Sequence, residues 1–159
     1  MKLPSLAKLI TSLLVSELAG VIGALFTAPA ISGWYATLAK PEIAPPNWVF
    51  GPVWTFLFAL MGVAVFLVWQ KHGSHRHAKA ALATFLGQLI LNVIWSVSFF
   101  GLQSPGGAFA EIIVLWIAIL ATIVAFHRVS KAAAYLMIPY LAWVTFAGYL
   151  NYVIWSLNR

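Results

Sequence analysis

The chain alternates long apolar runs with short polar turns, and the runs fall at residues 6–31, 48–69, 80–100, 108–126 and 132–157. An α-helix rises about 1.5 Å per residue, so roughly 20 residues cross the hydrocarbon of a bilayer. Every run is close to that length or longer. None keeps the two-residue alternation of a half-buried strand. The pattern predicts an all-α membrane protein, a five-helix transmembrane bundle forming one domain over residues 1–159.

Inside the runs, aromatic and polar side chains recur at helical spacing. Phe50, Trp54, Phe58 and Met61 fall at i, i+4, i+8 and i+11 and share one face. Gln88, Asn92 and Ser96 repeat every fourth residue with Trp95 and Phe99 beside them, and Trp143, Ala147, Leu150 and Asn151 line a face of the last run. A buried amide without a partner costs several kcal/mol, so Gln88 and Asn92 are expected to face protein or a cavity. Glu17, midway along the first run, is expected to turn inward in a structural role. Gly20, Gly23 and Ala24 give that helix a small face for close approach.

The breaks between runs carry their own signals. Pro45 and Pro46 impose extended geometry before Asn47, which is expected to cap a helix beginning at Trp48. Residues 32–47 form the one long loop, with Trp34 and Tyr35 either anchoring at the interface or closing the bundle as a lid. Gln70, Lys71, His72 and Gly73 stop the second run, and Pro139 is expected to kink the fifth.

Composition agrees with the pattern. Of 159 residues, 63% are hydrophobic and 8% charged, against roughly a quarter charged in soluble domains, and the mean hydropathy is +0.96. Having no cysteine removes disulfides, thiolate metal sites and cysteine nucleophiles. His72, His75 and His77 stand close together with no carboxylate beside them, so no metal is expected there. The net charge of +6 sits at the ends of the runs, which suits lipid head groups and not nucleic acid. Lys2, Lys8, Lys71, Arg76, Lys79, Arg128 and Lys131 fall on one side, Lys40 and Arg159 on the other. The positive-inside rule then predicts a cytoplasmic N-terminus for an inner membrane. The first run imitates a secretory signal ending in Ala28-Pro29-Ala30, but its length and Glu17 argue for a retained span.

Four motifs then add up to a resemblance: WYATLAKP at 34–41, PPNWVFGPVW at 45–54, GQLILNVIW at 87–95 followed by FFG at 99–101, and PYLAWVTFAGYLNY at 139–152. In this order they resemble the tryptophan-rich sensory protein or translocator protein family, the peripheral benzodiazepine receptors. The resemblance implies a homodimer that binds flat hydrophobic ligands under the first long loop, porphyrins such as protoporphyrin and haem among them, with no required cofactor. Carried over by position, the ligand-binding residues would be Ala24, Thr27, Trp34, Phe50, Gly51, Trp54 and Phe58, then Asn92, Trp95 and Phe99, and finally Trp143, Ala147 and Leu150. A dimer contact is expected at the small pair Ala83 and Gly87. Two positions depart from the family. Ser156 replaces the arginine of the animal cholesterol pattern after Leu150 and Tyr152, which argues against sterol and for a bacterial member, and Gly107 stands where some members have tryptophan.

Three functions fit these residues. The first is binding of tetrapyrroles for transport or sensing. The second is light-dependent degradation of protoporphyrin, for which Trp54 and Trp143 would serve as redox partners. The third is a scaffold that modulates a partner. Hydrolytic catalysis has no support, because the acids are few and separated and no Ser-His-acid set is legible.

Overall fold

A computed structural model describes residues 4–159; Lys2 of the charge count lies outside the described residues. The elements are α1 (Ser5–Ser32), the single turn α2 (Trp34–Thr37), α3 (Asn47–Gln70), α4 (Ala78–Ser96), α5 (Pro105–His127), α6 (Lys131–Leu136) and α7 (Ile138–Leu157). A π-helical turn, Val97–Gly101, continues α4. Five spans result: α1, α3, α4 with its π turn, α5, and α6 with α7. The apolar runs therefore locate the spans to within a few residues.

Local departures have simple causes. Asn47 is the first residue of α3 and not its cap: Pro46, at φ −55° and ψ 146°, precedes the helix without a side-chain hydrogen bond. Val49 N donates instead to Pro46 O at 3.0 Å. The fifth span is interrupted at Met137 alone, whose φ of −86° and ψ of −13° stay in the helical region. Pro139 has no N–H to return to the turn before it, so α6 ends at Leu136 and a new helix opens with Pro139 in its first turn. After α3 the chain turns at Gly73, whose φ of +96° favours glycine.

The helices close a ring in the order α1, α3, α6 with α7, α5, α4 and back to α1. Phe58, Met61, Phe85, Leu115, Ile119, Tyr140 and Val144 fill its centre, and Phe85 stacks on Phe126 with ring centroids 5.9 Å apart. The α1–α3 contact is backbone against backbone at Gly62, where a Cβ would lie 2.9 Å from Leu13 Cα. Leu14, Leu18 and Leu25 on α1 point outward, as do Ile90, Ile113 and Ile117, giving the ring an apolar exterior suited to lipid.

Candidate functional site

A cavity of about 440 Å³ opens between α1, the start of α3 and the outer half of α4. Its α1 wall is the stripe Glu17, Gly20, Val21, Ala24, Thr27, Ala28 and Ile31, at helical spacing and mostly small. The α3 wall supplies Asn47, Trp48, Phe50, Gly51, Trp54, Thr55 and Phe58, and α4 with its π turn supplies Asn92, Trp95, Ser96 and Phe100. Helix pairing fixes the depth. Gly20 faces Phe58, and Gly23 faces Ser96. The cavity therefore runs from Ile31, Asn47 and Trp48 at the helix ends down to Glu17, Phe58 and Asn92 near mid-span.

The aromatic surfaces are fixed by one another. Trp54 stacks on Phe58 at 5.6 Å between centroids, and its edge meets Tyr140 at 6.2 Å and Trp143 at 6.5 Å. Trp95 stacks on Phe99 at 5.5 Å. Such contacts hold flat faces in place at about 0.5–1.5 kcal/mol each beyond burial. The polar groups are held too. Asn92 Nδ2 donates to Tyr140 Oη at 2.9 Å, and Trp95 Nε1 donates to Asn151 Oδ1 at 3.1 Å. Asn151 Nδ2 in turn donates to Pro105 O at 2.7 Å. Thr27 and Thr55 give their protons to Gly23 O and Gly51 O, each at 3.0 Å.

The expected binding residues separate into two groups. Ala24, Thr27, Phe50, Gly51, Trp54, Phe58, Asn92 and Trp95 line the cavity together. Trp34 and Phe99 do not; they pack with Tyr35, Ala108 and Ile154 in a separate outer cluster. The α7 residues also stand apart. Trp143 meets Phe50 and Trp54 edge-on without lining the cavity, Ala147 packs on the central core and Leu150 is buried. A helical face that is apolar and aromatic reads the same in sequence whether it borders a cavity or fills a core. Glu17, expected to turn inward in a structural role, is also among the cavity's lining residues. The spacing puts Glu17 on one stripe with Gly20, Ala24, Thr27 and Ile31, which fixes the shared face and not what lies against it.

The long loop closes the outer end as a folded strap. Tyr35 is buried, and burial pushes its phenol up from the ordinary value. Trp34 meets Phe99 edge-on at 5.7 Å. Lys40 Nζ donates to Tyr35 O at 2.7 Å and Leu38 O at 3.0 Å, and lies 4.8 Å from the Tyr35 ring centroid. Asn158 clamps Ala39 from both sides: Ala39 N donates to Oδ1, and Nδ2 donates to Ala39 O, each at 2.9 Å.

At the opposite end, His75 and His77 sit beside Arg76 and Arg128. Arg76 Nε donates to His77 Nε2 at 2.9 Å. Partial desolvation, then the charges of Arg76, His75 and Arg128, hold His77 below the ordinary imidazole range. Among the described residues no group of three or more His, Cys, Asp or Glu could hold a metal ion.

Comparison with known proteins gives a consistent picture. The TspO/MBR family matches residues 12–156. The Tryptophan-rich protein TspO of Chlorobaculum tepidum is 47% identical over 87% of this chain and 88% of its own. That of Archaeoglobus fulgidus is 43% identical over 97% and 99%. The human Translocator protein is 40% identical over 92% and 87%.

Proposed function

The chain belongs to the TspO/MBR family as a multi-pass membrane protein, and from that premise we propose that its aromatic cavity binds tetrapyrroles and similar flat hydrophobic molecules for transport or sensing. The observation that carries this reading is the cavity of about 440 Å³ with Phe50, Trp54, Phe58 and Trp95 on its walls and Gly51 and Ala24 giving clearance. Its size falls in the usual range for small-molecule sites, roughly 300–1,000 Å³. Indole and phenyl faces stack on a π-system, and small residues let it slide between helices. A tetrapyrrole larger than the cavity enters with its apolar edge inward and its propionates at the mouth, among head groups and water.

Orientation follows the charges: the N-terminus and the His75–Arg128 end are cytoplasmic, and the strap faces out. Ala83 and Gly87 are exposed on α4, with open space beside Gly87, and form the contact of a homodimer.

The test is a protoporphyrin titration in the dark, read by tryptophan fluorescence of protein in nanodiscs. Saturable quenching, weakened about tenfold by Trp54→Ala and by Ala24→Phe but not by Phe56→Ala on the exposed face, supports the reading. Equal titration of all four proteins means partition into lipid and overturns it. The edge contact of Trp54 and Trp143 favours a second reading, light-driven oxidation of bound protoporphyrin with dissolved dioxygen as the oxidant and the indole pair relaying an electron. Illumination of the same complexes checks it: product formed by the parent and lost in Trp143→Phe.

A further inference from the structure

The deep end of the cavity is unusual in what it offers a ligand. Glu17 stands there near the midpoint of α1, between the level of Gly20 against Phe58 and that of Leu13 against Gly62. Mid-bilayer carboxylates are expensive unless something pairs with them. No lysine, arginine or histidine lines the cavity. Lys8, the other described charge on α1, reaches toward the cytoplasmic end, 5.9 Å from the Trp69 ring centroid. Glu17 makes no ion pair or hydrogen bond with the described residues that would account for it.

Most of the neighbouring polar protons are already committed. Asn92 has committed an amide proton to Tyr140 and Trp95 its indole proton to Asn151, while Thr27 and Thr55 donate to their own backbone. Asn92 keeps its second amide proton and Ser96 its hydroxyl, but neither carries a charge that would offset a carboxylate. Two further donors, the Asn47 amide and the Trp48 indole, sit at the mouth. Among the described residues, the one ionisable side chain on the cavity wall is therefore a carboxylate near its floor.

We propose that Glu17 is the recognition group of this cavity, holding an ammonium or ring N–H carried by the inner end of a flat apolar ligand. The site then selects cationic or N–H-bearing aromatic amphiphiles and turns carboxylates outward. This rests on reading the cavity as a ligand site, and it adds which end of the ligand goes in first. A charged hydrogen bond in an apolar cavity is among the stronger single contacts available to a small ligand.

Three matched acridines test it on the full chain in nanodiscs of zwitterionic lipid at neutral pH: 9-aminoacridine as the cation, acridine as the neutral probe and acridine-9-carboxylate as the anion. The parent is expected to bind the cation about tenfold or more tighter than the anion. Glu17→Gln keeps the shape and removes the charge. It should collapse the cation-to-anion ratio toward one while changing acridine affinity by less than about threefold, and Glu17→Asp should restore part of the ratio. A parent that favours the anion, or a ratio unchanged in Glu17→Gln, overturns the role of Glu17. The parent measurement decides even if a variant does not fold. Ala24→Phe separates the two readings. Loss of all three probes in that variant keeps the cavity as the site, whereas unchanged binding of all three overturns the cavity reading itself.

Discussion

At the residue scale, the polar side chains inside the spans are the ones whose removal tells most. Tyr140 is fully buried, and its hydroxyl accepts from Asn92. Tyr140→Phe leaves that amide proton without its partner, and a buried unpaired donor costs about 1–3 kcal/mol. A fall in thermal unfolding temperature in detergent, larger than that of Tyr149→Phe on the exposed face, is expected. His77 gives a pH observable. Its imidazole is held below the ordinary value near 6.5, so it is neutral at neutral pH and protonates only on acidification below that value. Removing a positive neighbour favours the charged form. Arg128→Ala should therefore raise the His77 midpoint in an NMR titration. The sequence showed Gln88 and Asn92 as inward-facing and both are buried, because an amide in a long apolar run has nowhere else to go. It could not show that Glu17 borders empty space, since an inward acid looks alike beside a cavity or a helix.

At the element scale, contact distance controls α1 and the strap. Gly62→Val would put side-chain carbon within 2.9 Å of the Leu13 backbone, and backbone cannot move aside as a flexible side chain can. Forcing α1 from α3 should cost about 1–3 kcal/mol and deform the cavity they share, which unfolding and protoporphyrin binding would both register. The strap depends on one side chain from the far end of the chain, Asn158. Asn158→Ala should raise hydrogen exchange over residues 38–46 while leaving exchange in α3 and α4 unchanged. The long loop was plain in the sequence, and its prolines marked where α3 starts. Its latch was not, because a pair of hydrogen bonds between Ala39 and Asn158 leaves no local pattern. The break in the fifth span was half legible: Pro139 announces a lost hydrogen bond, but whether a helix bends or ends there depends on what packs around Met137, which is fully buried.

At the scale of the whole molecule, ring closure decides which aromatic faces meet a cavity. With α3 and α4 on either side of α1, the outer half of the ring is left underfilled where α1 carries glycine and alanine. A single-cysteine scan should accordingly find Ala24→Cys and Gly51→Cys blocked by bound protoporphyrin, with Ala147→Cys not protected directly. For the proposed homodimer contact at Ala83 and Gly87, Gly87→Leu is expected to lower the dimer fraction seen by crosslinking. By itself the sequence determined the five spans, their boundaries, the membrane as solvent and the family, because these depend on the length and hydropathy of local runs and on motifs read in order. Only the tertiary structure decided that Trp143, Ala147 and Leu150 are not among the residues lining the cavity, that Trp34 joins the outer cluster, and that Glu17 lines the cavity. Those facts depend on which helices become neighbours and how far each is rotated, and apolar periodicity fixes a helix's buried face without fixing what lies against it.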